Sequence, residues 1–183
     1  MQQDLKKLQR RPFLLPLLLP VLATIVVAAV GVWLLDARGN TVVIVVRDAE
    51  VEPSDGPDPN LSLVGKERAA RLARVWGQGG AQKIDAIFAV DTRRAQQTVT
   101  PLAEALGLPI NVTPTANWDE LIERLQRDHR GQVLLLASQP ALASKVVGEL
   151  ASADIKIGDA DYDAMHIIFL PRIARTRLLS LRY

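Results

Sequence analysis

The chain has 183 residues and no cysteine, so neither disulfides nor thiolate metal sites can support it and its fold rests on a hydrophobic core. Its formal charge of +2 comes from residues 1–40, where Lys6, Lys7, Arg10, Arg11 and Arg38 stand against Asp4 and Asp36; of 22 basic and 20 acidic residues, 17 and 18 remain beyond that point, a net of −1. The rest of the chain therefore carries no polybasic field of the kind that nucleic-acid binding needs, and nucleic acid is not an expected partner.

After a basic tail at residues 1–12, an uncharged stretch of 23 residues runs from Phe13 to Leu35. As a helix it rises to roughly 34 Å, enough to cross a bilayer core. Pro16 and Pro20 kink its first half, and Trp33 sits where an interfacial anchor belongs. A cleavable signal peptide is the alternative, supported by the small residues Ala28, Ala29 and Gly31, but the apolar run exceeds the usual h-region. Four basic residues precede the span and only Arg38 follows closely, so the positive-inside bias keeps the N-terminus in the cytoplasm and exports residues 41–183. In a bacterium that destination is the periplasm. Residues 36–40 read as a linker.

Residues 41–183 alternate strand and helix patterns, which predicts a three-layer α/β/α sandwich on a mostly parallel sheet. Val42–Val46 is a β-branched run suited to a strand buried on both faces. A Pro/Asp/Gly-rich loop follows from Glu52 to Asn60, then an amphipathic helix over Leu61–Trp76 ended by Gly77 and Gly79-Gly80. Ile84–Val90 predicts a second strand, Arg93–Leu106 a helix stopped by Gly107, and Trp118–Arg127 a shorter helix. Val133–Ala137 predicts the third buried strand and Pro140–Leu150 a helix opened by proline. Two closing strands, near Ala164–Leu170 and Arg175–Arg182, form a hairpin at the sheet edge around a turn at Pro171.

In open α/β sheets ligands bind beyond the carboxyl ends of the strands. Three segments end there: Arg47-Asp48-Ala49-Glu50, Asp91-Thr92-Arg93-Arg94-Ala95 and Ala137-Ser138-Gln139-Pro140. Arginine at two of these ends suggests oxyanion recognition, because a guanidinium fork matches phosphate in a bidentate way. Simple pairing of Arg47 and Arg94 with Asp48, Asp91 or Glu50 is the plainer alternative.

Several blocks in order resemble the histidine phosphatase superfamily, the phosphoglycerate-mutase-like fold. They are Val45-Val46-Arg47-Asp48-Ala49-Glu50, Leu61-Ser62-Leu63-Val64-Gly65-Lys66-Glu67-Arg68-Ala69, Arg94-Ala95-Gln96-Gln97-Thr98, the strand approached through Asp128-His129-Arg130-Gly131, and the ending from Tyr162-Asp163 to Tyr183. The resemblance implies a pocket of two arginines and two histidines, the first histidine becoming phosphorylated. Arg47 and Arg94 match the arginines, whereas Asp48 and Ser138 occupy the histidine positions. The two histidines of this chain, His129 and His166, fall outside the motif and are expected at the surface or in packing. An imidazole nucleophile gives a phosphohistidine that water can open, and Asp48 cannot copy that step. The implied member is degenerate and lacks the phosphohistidine mechanism.

Three functions follow as expectations. The first is a membrane-anchored, non-catalytic domain that binds a protein partner or a small anion such as phosphate through Arg47, Arg94 and Thr98. The second is an altered phosphatase with Asp48 as nucleophile or base and Glu50 as proton donor. The third is an accessory subunit of a larger membrane complex, suggested by Pro12, Pro16 and Pro20 near one helix face. No cofactor and no metal site are expected.

Overall fold

A computed structural model describes residues 15–53, 56–77, 83–171 and 174–183, with side chains omitted at 15–18 and 35–38. The basic tail at 1–12, the Gly79-Gly80 pair and part of the turn after Pro171 lie outside the described residues. Helix α1 spans Leu15–Gly39 and runs to within one residue of strand β1, Thr41–Arg47. The expected linker at 36–40 thus shrinks to Asn40, since Asp36-Ala37-Arg38 continue the helix. Every described side chain from Leu19 to Leu34 is exposed except at the half-buried Gly31; Val27 is 71% and Trp33 67% exposed. Those residues rise about 24 Å, and among the described residues no helix is long and apolar enough to cross a membrane.

The remaining elements are α2 (Leu63–Gly77), β2 (Ala86–Val90), α3 (Arg93–Leu106), β3 (Ile110–Thr113), α4 (Trp118–Arg127), β4 (Val133–Ser138), α5 (Pro140–Ala151), β5 (Ala164–Leu170) and β6 (Arg177–Arg182). They build one six-stranded mixed sheet ordered β3-β2-β4-β1-β5-β6. The first four strands are parallel, while β5 and β6 add an antiparallel hairpin at one edge. The α/β class and the closing hairpin agree with expectation, whereas the transmembrane helix expected before the domain is not found among the described residues. The strand β3, four residues between Pro109 and Pro114, is an addition that the sequence reading lacked.

All seven residues of β1 are buried, as a β-branched strand covered on both faces requires. Helices α2 and α3 pack together, and with the right-handed crossovers that parallel strands take, the order β3-β2-β4-β1 assigns them to one face and α4 to the other. The Lys145–Asp119 ion pair ties α5 to α4, and α5 packs on β1, β4 and β5. The chain thus leaves β1 toward one face and the adjacent β4 toward the other, which opens a crevice at their carboxyl ends. The core beneath that edge is filled by Ile44, Leu135 and Ile87, paired in register across β1, β4 and β2 and fully buried.

The segment after β1 is held by a small set of contacts. Ser62 caps α2: its backbone N–H and its hydroxyl both donate to Glu50 O, and the hydroxyl accepts from Gly65 N at 3.1 Å. Gly65 is required because a Cβ at that position would lie 2.1 Å from Glu50 O. The Leu-Ser-x-x-Gly block is therefore the device that seats α2 against the strand end.

Candidate functional site

Arg47 ends β1 opposite Ser138 at the end of β4, and Asp48 N donates to Ser138 O at 2.9 Å. Arg94 lies in the first turn of α3, which follows β2. The structure brings Arg47, Asp48 and Arg94 together in an open pocket of about 380 Å³, with Gln139, Asp159 and Tyr162 also on its wall. Asp48 is 2% exposed and sits between the two guanidinium groups, Oδ2 at 2.6 Å from Arg94 Nε and Oδ1 at 3.6 Å from Arg47 Nη2. The Arg94 N–H is not aimed along the short contact, so this is an ion pair rather than a directed hydrogen bond. Burial holds the Asp48 carboxyl above its usual range, against the smaller downward pull of the Arg94 and then the Arg47 charge.

Arg47 is fully engaged. Its Nε donates to Asp48 O at 3.2 Å, its Nη1 donates to Gly158 O at 2.8 Å, and its guanidinium carbon stacks 3.9 Å from the centre of the Tyr162 ring. The loop between α5 and β5 is thereby pinned over the pocket, and one of the two arginines expected to grip an anion grips protein instead. Arg94 keeps a side chain 28% exposed. With Asp48 and Asp159 beside Arg47 and Arg94, the pocket wall carries two charges of each sign.

Other expected site residues stand elsewhere. Thr98 is completely buried, donating to Arg94 O at 2.7 Å and accepting from Ala49 N at 2.9 Å, so its hydroxyl fastens the strand end to α3. Glu50 points to α2, where Arg68 Nε and Nη2 clasp its carboxylate, and that hydrogen bonding holds it below its usual range. A carboxylate so held is a poor proton donor. Ser138 is buried, with its hydroxyl 3.5 Å from Gln139 O. Gln97 braces the loop before α2, accepting from Leu61 N and donating to Asn60 Oδ1. His129 packs edge-on against Phe88, and His166 bonds Ser180 Oγ at 2.9 Å from within β5; neither lines the pocket. Gly158, Asp159 and Tyr162 lie outside the expected site, and no sequence signal pairs them with Arg47, which precedes Gly158 by 111 residues. Among the described residues no group of acidic or histidine side chains could hold a metal ion.

Residues 43–132 match the histidine phosphatase superfamily (branch 1). The chain belongs to the histidine phosphatase superfamily. Solved structures share its fold at low identity. The protein histidine phosphatase SixA complexed with tungstate is 18% identical with a TM-score of 0.62, over 77% of this chain and 96% of that one. The alpha-ribazole phosphatase from Shigella flexneri is 14% identical with a TM-score of 0.61, over 78% and 96%. A mycobacterial glucosyl-3-phosphoglycerate phosphatase is 16% identical with a TM-score of 0.57, over 76% and 97%. The chain matches no curated protein. In this histidine-phosphatase domain, Arg47 and Arg94 stand at the carboxyl edge of the sheet with Asp48 between them.

Proposed function

We propose that this protein is a membrane-tethered histidine-phosphatase-like domain without hydrolytic activity, which acts by binding a protein partner. The observation that carries the reading is the Asp48 carboxylate, 2.6 Å from Arg94 and 3.6 Å from Arg47 at the place where the superfamily pattern has its first histidine. A carboxylate there supplies the negative charge that a phosphoryl group would otherwise bring, and it repels an incoming phosphate. Loss of an activated nucleophile costs on the order of 10⁶ in kcat in well-studied hydrolases. Engagement of Arg47 by Gly158 O and Tyr162 weakens the small-anion reading in favour of a protein partner. The altered-phosphatase reading loses its proton donor, because Glu50 is clasped by Arg68.

Tethering is supported by the 25-residue helix α1, whose exposed apolar side chains lie on all sides. Such a helix needs lipid or protein around it. The basic residues before it orient the N-terminus to the cytoplasm and the domain to the outer side, which in a bacterium is the periplasm. Docking of the same helix into a larger membrane complex is the accessory-subunit form of this reading.

The test is an assay of the full chain in detergent with a generic phosphomonoester and acid quench. Turnover at the uncatalysed level is expected, unchanged in Asp48→Asn. Turnover that Asp48→Asn abolishes would show Asp48 to be catalytic and end the non-hydrolytic reading.

A further inference from the structure

At the end of the sheet opposite the pocket, the first residues of β1 meet the end of β5, which pairs with the start of β6, and the loop before β4. Thr41 pairs with Leu170, Phe169 pairs with Arg177, and the Thr41 hydroxyl donates to His129 O and accepts from Gly131 N. Only Asn40 separates this end from α1. Two cavities flank that junction. One, of about 410 Å³, is lined by Gly39, Thr41, Gln126, Arg130, Leu170 and Pro171. The other, of about 470 Å³, includes Asn40, Phe169, Arg175, Arg177, Leu178 and Leu179. Among the described residues no acidic side chain lines either one, whereas Asp48 and Asp159 line the pocket at the far end. Among the described side chains near this end, Asp128 is ion-paired to Arg127, and Asp85 accepts from Val133 N.

We propose that this end of the domain docks on the headgroup phosphates of an anionic bilayer, with Arg130 on one side of the helix junction and Arg175 and Arg177 on the other. Guanidinium groups grip phosphodiester oxygens in a bidentate way. In the second cavity Phe169, Leu178 and Leu179 form an apolar wall beside the two arginines, suited to the glycerol and first methylenes below a headgroup. A single-residue linker keeps these arginines within the short reach of a charged lipid surface. The surface thus rests on the reading of α1 as the membrane-inserted element, and it holds the domain with its Asp48 pocket facing away from the lipid.

The chain has no cysteine, so Ala174→Cys at this end and Ala116→Cys at the opposite end each give a unique fluorophore site in the full-length protein. Each labelled chain is reconstituted into phosphatidylcholine vesicles, and into phosphatidylcholine–phosphatidylglycerol vesicles, carrying a headgroup-linked quencher. Quenching at position 174 alone, stronger in anionic vesicles and reversed by salt, is expected. Each Arg→Gln change at 130, 175 or 177 should lower the docked population about fivefold. Salt reversal reads the same contact without any substitution, should a variant fail to fold. Flotation with both vesicle types but equal, salt-insensitive quenching would overturn the docking surface and leave the anchor. Binding to anionic vesicles only, through the arginines, would retain the surface and overturn the anchor, while binding to neither overturns both.

Discussion

The two ends of the sheet use arginine in opposite ways. At the carboxyl end, Arg47 and Arg94 face a buried carboxylate between them, and Arg47 also meets a carbonyl and an aromatic face, so its charge is spent inside the protein. At the amino end, Arg130, Arg175 and Arg177 are exposed around cavities that no acidic side chain lines among the described residues. The lesson is that arginine at a strand end says nothing about anion binding until its partners are known. A buried guanidinium stabilises the fold, while an exposed one is available to a partner.

Substitutions should separate the ends by size of effect. Arg47→Ala strips Asp48 of one counter-charge and leaves Gly158 O and the Tyr162 ring without their partner. Removing one member of a buried pair costs about 3–5 kcal/mol, to be read by urea unfolding of the full chain in detergent. A loss below about 1 kcal/mol would mean that Arg47 does not lock the carboxyl end as described. Gly65→Ala forces a Cβ into Glu50 O and should cost about 1–3 kcal/mol by loosening α2 from the same end.

His166 gives a smaller and pH-dependent effect. Burial holds its imidazole below the usual value, against a weaker opposing pull from Asp161, so the unfolded chain takes up this proton first as pH falls. Its contribution is complete above about pH 6.5 and is lost progressively below that value until the folded-state imidazole also takes up its proton, with a slope of at most about 1.4 kcal/mol per pH unit. His166→Gln should flatten that part of the stability curve. Arg130→Gln, Arg175→Gln and Arg177→Gln should leave the unfolding midpoint unchanged within error, since exposed side chains away from such networks rarely matter to stability.

Much of the fold was readable because β1 and β4 are continuous apolar runs, and α3 carries strong helical spacing up to Gly107. Strand β3 escaped because Ile110-Asn111-Val112-Thr113 is short, lies at the sheet edge and buries none of its residues fully. The pocket was readable only in part. Arg47, Asp48 and Arg94 come from motif blocks that local geometry brings to one edge. The Glu50–Arg68 clasp and the Arg47–Gly158–Tyr162 lock depend on how separate segments meet, which no local pattern encodes. Thr98 looked like an anion ligand because hydroxyls bind anions, yet its position one turn after Arg94 commits it to the backbone.

The proposed function makes Asp48 a built-in substitute for a bound anion, and thermal unfolding of wild type and Asp48→Ala with and without inorganic phosphate, at matched ionic strength, tests that role most directly. The expected result is a wild-type midpoint that phosphate leaves unmoved, and a destabilised Asp48→Ala whose midpoint phosphate raises by filling the vacated place between Arg47 and Arg94. A wild-type protein stabilised by phosphate, with Asp48→Ala indifferent to it, would contradict that role.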